Sequence, residues 1–347
     1  MTTSPFPLSG TGEVRWRVPL PGRTVAGISV AADGMCFVST ETGVVALDGP
    51  EVRWIADASA HGGGLLLDGG LLVTAGADGY ELRDRRTGAV TGVLRATPRS
   101  APMPLADGSL VFLTAGSVLR AVTLTGEARW EVEVPAPAWP LVWHDTVFVA
   151  ERTAVRAFDR DGAALWRAAL AGDVAGTMVG LPDGSVLVPV HGEEHTGYVV
   201  LDPGGDVRAL PAHLPPGIPA VPLPGGRLAL PGWPERDDDG EWRPTVSIVD
   251  GETGAVVRHQ RLRADIRSMA AGANGLVAVA VSPTWERWTE YHGWPGFDLA
   301  EDCYVLFLDE DGPRGTWTAG RPITGPLAVG ANGDLLVPVS GELVSLS

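Results

Sequence analysis

VVALDGPEVRW at residues 44–54, VRAFDRDGAALW at 155–166 and VLFLDEDGPRGTW at 305–317 are one phrase written three times. An apolar strand ends in Asp, a Gly-bearing turn follows, and a further strand closes on Trp. Weaker copies read YELRDRRTGAV (80–90), LRAVTLTGEARW (119–130), YVVLDPGGDVRAL (198–210) and VSIVDGETGAVV (246–257), and a truncated one, TGEVRW, stands at 11–16. Between copies come two more short apolar strands joined by Asp-Gly, Asn-Gly or Gly-Gly, as in PLADGSLVFLT and VGANGDLLVPV. Those dipeptides accept the positive φ of tight hairpin turns. Each unit is thus four antiparallel strands, A to D. Trp16 and Trp54 stand 38 residues apart and Trp130 and Trp166 stand 36 apart, which is the size of a propeller blade.

The two ends of the chain complete one another. The last unit stops at GELVSLS (341–347), a strand C with no strand D, whereas GEVRWRVPL (12–20) is a strand D with nothing before it. Pairing them closes the ring, hides the free sheet edges and makes about eight blades. The expected fold is therefore all-β, an eight-bladed propeller of four-stranded antiparallel blades over residues 12–347, with 1–11 as a tail. Strand A should line the axis, where Ala26-Gly27, Gly62-Gly63, Ala101-Pro102, Ala175-Gly176 and Thr324-Gly325 suit a crowded centre. The recurring Trp is expected to wedge between blades, and the Asp to satisfy turn amides.

The phrase resembles the quinoprotein-type repeat, Asp-x-x-Thr-Gly-x-x-x-Trp, which marks the blades of an eight-bladed propeller; Asp84-Arg85-Arg86-Thr87-Gly88 carries its turn. The resemblance runs from Gly12 to Ser347 and implies fold. Quinone-dependent dehydrogenases of that superfamily carry adjacent cysteines at the cofactor, whereas this chain has only Cys36 and Cys303, so pyrroloquinoline quinone is not expected. Outer-membrane assembly lipoproteins with similar propellers carry a signal and an anchoring Cys, neither of which stands in MTTSPFPLSGTGEVRW.

Bulk properties narrow the partners. All 26 basic residues are Arg, and the net charge is −16. Such a field disfavours nucleic acid, which needs clustered cations, and favours cationic ligands. No apolar run approaches a membrane helix, and two distant cysteines make no disulfide framework. A cytoplasmic protein without membrane partners is expected; oligomeric state is left open.

Three consecutive units break the period between strands B and C: HGEEHTG (191–197), PGWPERDDDGEWRP (231–244) and SPTWERWTEYHGWPGFDLAED (282–302). In a propeller the B–C and D–A connections share a face, so these insertions should meet above neighbouring blades as an ordered, aromatic cap; long connections without regular structure tend to be functional. Trp233, Trp242, Trp285, Trp288, Tyr291 and Trp294 are the candidate ligand-binding residues. His191, His195 and His292, on adjacent insertions, are candidate catalytic groups and candidate Zn²⁺ ligands. HGEEH matches a metalloprotease spacing, but that motif needs a helix to align its imidazoles, and here it sits on a hairpin. Asp237-Asp238-Asp239-Gly240-Glu241 has the acids of a Ca²⁺ loop without the alternating spacing. Asp173, Asp265 and Arg267, from D–A connections of the same face, are the candidate polar groups of the pocket floor and join the three His as candidate catalytic residues.

Two functions follow. One is a propeller that binds a small molecule or a basic peptide, with Trp faces attracting cations. The other is a lyase, cyclase or hydrolase using His, Asp and Glu as acid and base, with or without a metal. The fold does not choose between them.

Overall fold

A computed structural model describes residues 6–22, 24–57, 65–67, 70–76, 78–193, 196–210, 219–236, 238, 240, 242–283 and 300–347. Its strands form eight antiparallel sheets, and seven of them take strands A to D in chain order. Blade four is representative: Trp139–Trp143, Thr146–Ala150, Ala154–Phe158 and Ala164–Ala169. In blade five, strand A is split into Asp173–Val174 and Val179–Gly180, both paired to strand B. In blade eight, Ala328–Val329, Leu335–Val339 and Glu342–Leu346 are joined by Val14–Pro19 from the other end of the chain.

That last pairing is the expected clasp. Arg17 lies opposite Val344 and Pro19 opposite Glu342. Gly12 N donates to Ser347 O at 2.7 Å and Ser347 N to Glu13 O at 2.8 Å. Arg17 adds an ion pair to Glu342 at 2.8 Å. Strands A of neighbouring blades touch one another, as between blades three and four, four and five, and seven and eight, which places them at the axis.

Strands B and C are buried on both sides, because each blade face is covered by the next blade. Met35–Thr40 and Val277–Val281 are buried at every position. Strand D is different: Val14–Pro19, Val90–Arg95 and Ala164–Ala169 share one pattern, exposed except at the third and fifth residues. It is the outer rim. Among the described residues the buried apolar side chains sort into eight clusters, each joining two neighbouring blades. Stability thus resides in the seams, where each large apolar side chain contributes about 1.5–3 kcal/mol.

The C–D turns are built as expected. Asp84 accepts from the amides of Arg86 and Thr87 and from the Thr87 hydroxyl; the Thr87 hydroxyl and amide hold its carboxyl below the ordinary value. Asp250 repeats this with Thr253, and Asp159 and Asp202 cap their turns through backbone amides alone.

One expectation is corrected. Residues 231–244 are not a connection without regular structure, since strand B of blade six runs Arg227–Arg236 and strand C runs Trp242–Asp250. The ladder continues outward to Arg236 opposite Trp242, past a bulge between Gly232 and Glu235. Pro231 and Pro234, which donate no ladder hydrogen bond, disguise this in the sequence.

Candidate functional site

All three insertions leave the same face. His191 ends strand B of blade five and pairs with Thr196 of strand C; the second insertion extends strands B and C of blade six; the third joins Val277–Val281 to Tyr304–Asp309 in blade seven. On this face an open depression of about 660 Å³ is lined by Ala171, Gly172, Asp173, His191, Gly192 and Glu193. Asp173 lies directly opposite His191. The strands come this close because residue 172 has no side chain: a Cβ there would sit 2.7 Å from His191 O. Arg152, from the B–C turn of blade four, donates to Asp173 at 2.9 Å, and His191 Nδ1 is 3.3 Å from the Thr196 hydroxyl. Asp173 and His191 therefore face each other across the ladder, each with another polar partner.

Asp265 and Arg267 lie two blades away. Asp265 gives its carbonyl to Ser282 N at 2.9 Å, and Arg267 occupies a bulge between Ile266 and Ser268; both are exposed, and they do not pair with each other. Trp242 is 69% exposed on the hairpin of blade six. Beside it, Glu235 meets His259 Nε2 at 3.2 Å and Arg261 Nε at 3.3 Å. Burial alone would raise the Glu235 carboxyl, but the His259 charge and the Arg261 and His259 hydrogen bonds hold it below the usual range. His195, His292, Trp285, Trp288, Tyr291, Trp294 and the side chain of Trp233 lie outside the described residues, as do Asp237, Asp239 and Glu241 of the acidic tip. Among the described residues no cluster of three His, Cys, Asp or Glu could hold a metal ion.

The opposite face, formed by the A–B and C–D turns, carries a seam device. Trp54, Trp130 and Trp166 of strand D each reach the next blade and donate Nε1 to the carbonyl just after its turn position: Arg85 O at 2.9 Å, Arg160 O at 2.8 Å and Pro203 O at 2.9 Å. Each indole lies on a turn glycine of positive φ, and a Cβ on Gly88, Gly162 or Gly205 would come within 2.7 Å of the ring. Register defines the seat: Trp54 opposes Ala46, Trp130 opposes Ala121 and Trp166 opposes Ala157. By the same register the seat in blade five is Arg208, opposite Val200. Its guanidinium donates to Gly251 O at 3.0 Å and Glu252 O at 2.5 Å, so it uses the carbonyl that an indole would use. Above it, between the turns of blades five and six, lies a cavity of about 570 Å³. The equivalent cleft between blades eight and one, beside Trp16, measures about 360 Å³.

The family described as outer membrane protein assembly factor BamB matches residues 8–138. BamB from Moraxella catarrhalis superposes with a TM-score of 0.69 at 16% identity, covering 96% of this chain and 99% of that one. Quinohemoprotein alcohol dehydrogenases from Comamonas testosteroni and Pseudomonas putida HK5 superpose with TM-scores of 0.68 at 12% and 11% identity, covering 96% and 99% of this chain and 76% and 78% of theirs. The chain shares the propeller fold of these proteins. No curated protein matches its sequence.

In this propeller the seat residues are what sequence reading missed. Trp317, read as one of the series, opposes Val305; the seat of blade seven is Gly315, opposite Phe307. The hairpin turns through only two residues after Asp309, which pairs with Gly312, so Gly315 already reaches the seat and Trp317 falls two residues beyond it. Arg258, opposite Ile248, holds the seat of blade six, and a Cβ on Gly312 of the next turn would be 2.8 Å from its guanidinium. The seat stands six residues after the turn Asp in blades five and seven, seven in blade four and eight in blade six, so only the pairing register brings out all three.

Proposed function

We propose that this propeller is a binding module that takes a cationic segment, such as a basic peptide, on the face of the three insertions over blades five to seven. The observation that carries the reading is the hairpin of blade six. It continues an ordered ladder three pairs beyond Val246 to hold Trp242 in water. An indole fixed on rigid backbone and left uncovered is the kind of residue that dominates protein interfaces, and it attracts cations at its face. The net charge of −16 draws a cationic partner toward it. The assembly-factor description of the family matched by residues 8–138 points to binding as well.

A phage-displayed decapeptide library carrying two fixed arginines, selected on the purified chain, tests this. Enriched peptides are expected to lose at least about tenfold in affinity on Trp242→Ala, the scale of an interface hot spot. Equal capture by Trp242→Ala, or enrichment of peptides that have gained acidic residues, overturns it.

A further inference from the structure

The cleft above each seam on the turn face is floored by the A–B turns of two blades and bounded by the seat residue. Between blades seven and eight it is filled by the chain itself. Phe6–Gly10 lies there: Ala273 N donates to Phe6 O at 2.9 Å and Ser9 N to Gly333 O at 3.2 Å. Asn274 clamps Leu8 from both sides, its Oδ1 accepting Leu8 N at 3.0 Å and its Nδ2 donating to Leu8 O at 2.9 Å. Leu8 is 2% exposed and belongs to the apolar cluster of Leu276 and Leu335. The seat here is Gly315, and Gly10 passes over it, its carbonyl 3.8 Å from where a Cβ would stand. A peptide thus occupies the cleft where blade seven offers no side chain.

Between blades five and six the corresponding cleft is open, about 570 Å³. Its walls are apolar, with Leu181, Val200, Leu223, Pro224 and Leu228. The place of Asn274 in the A–B turn is taken by Asp183. One oxygen of Asp183 accepts from Ser185 N at 3.0 Å, which leaves the other as an acceptor for an incoming amide. Arg208 leans away onto the next turn and does not fill the space.

We propose that the cleft between blades five and six is a docking site for an extended apolar segment of a partner protein, seated as Phe6–Gly10 is seated between blades seven and eight. This site is on the face opposite the three insertions and does not depend on the reading given for them. The occupant is a short stretch with aromatic, Pro and Leu residues whose backbone N–H reaches Asp183.

The probe is a fluorescein-labelled peptide of residues 4–10, SPFPLSG, titrated into the full chain with polarisation and amide exchange as readouts. Saturable binding is expected, with exchange slowed over residues 181–185 and 223–226 and unchanged over 272–275 and 330–333. Pro182→Trp, at an exposed turn position on the rim, is expected to weaken binding at least about tenfold; Asp183→Ala is expected to weaken it about threefold. Protection at 272–275 and 330–333 instead means that the peptide merely exchanges with the chain's own segment and overturns the proposal. Absence of saturable binding, or displacement of the peptide by an equal concentration of free indole, overturns it also.

Discussion

At the scale of single residues, the seams turn on one contact, an indole laid on a glycine. Gly88 has φ +72° and would place a Cβ 2.7 Å from Trp54 Cδ2, whereas Gly34 has φ +91° and open space around it. Gly34→Ala therefore reports backbone strain alone, and Gly88→Ala reports strain plus displacement of the ring. Overpacking of this kind costs about 1–3 kcal/mol, so Gly88→Ala is expected to lower unfolding free energy in urea by about that much more than Gly34→Ala. Equal losses would show that Trp54 is free to move aside. Much of this contact was legible in sequence, because the Asp, the Gly and the Trp recur at nearly fixed spacing. What was not legible was substitution at the seat. Arg208 and Arg258 look like ordinary surface arginines until the ladder shows them opposite Val200 and Ile248.

At the scale of elements, the hairpin of blade six divides into two halves with different physical roles. Its inner half is core: Leu230 is fully buried, and Val246 and Ile248 of the facing strand are at most 1% exposed. Beyond the bulge between Gly232 and Glu235 its outer half stands in water, with Glu235 between His259 and Arg261 and with Trp242 uncovered. Leu230→Ala is expected to cost about 2–5 kcal/mol. Trp242→Ala is expected to change stability by less than about 0.5 kcal/mol, as exposed positions do. Urea unfolding of the two variants separates the halves, and a large loss from Trp242→Ala would show that the indole is structural. The period break at 231–244 announced an insertion, but Pro231, Pro234 and Pro244 concealed that it was strand. The pairing of Asp173 with His191 was out of reach of the sequence for a different reason. It depends on the strand A that Gly172 lets approach, and only three-dimensional register reports that.

At the scale of the whole molecule, the ring is held shut without a covalent link. Strand Val14–Pro19 closes blade eight from the far end of the chain, and the segment before it lies across the seam with blade seven. Both ends of the clasp could be read from GEVRWRVPL and GELVSLS, since strand C without D and strand D without C have a single joint solution. The packing of Phe6–Gly10 could not, because FPLSG has no periodicity to mark it. A circular permutant separates the two contributions. New termini are placed at the exposed Pro21, and Ser347 is joined by a short Gly-Ser linker to Thr11, whose hydroxyl already meets Ser347 O at 2.8 Å. Strand D of blade eight then becomes covalently continuous, while residues 1–10 are absent. If closure requires only pairing, the permutant folds with an unchanged β-type circular dichroism spectrum. Its stability should fall by the burial of Leu8 and its neighbours, about 1.5–3 kcal/mol for a side chain of that size, partly offset by the shorter loop that now closes the ring. Adding back the peptide SPFPLSG should restore part of that loss through the emptied cleft, because a ligand that binds only the folded state stabilises it by mass action. A permutant as stable as the parent, and indifferent to the peptide, would show that the segment lies over the seam without holding it.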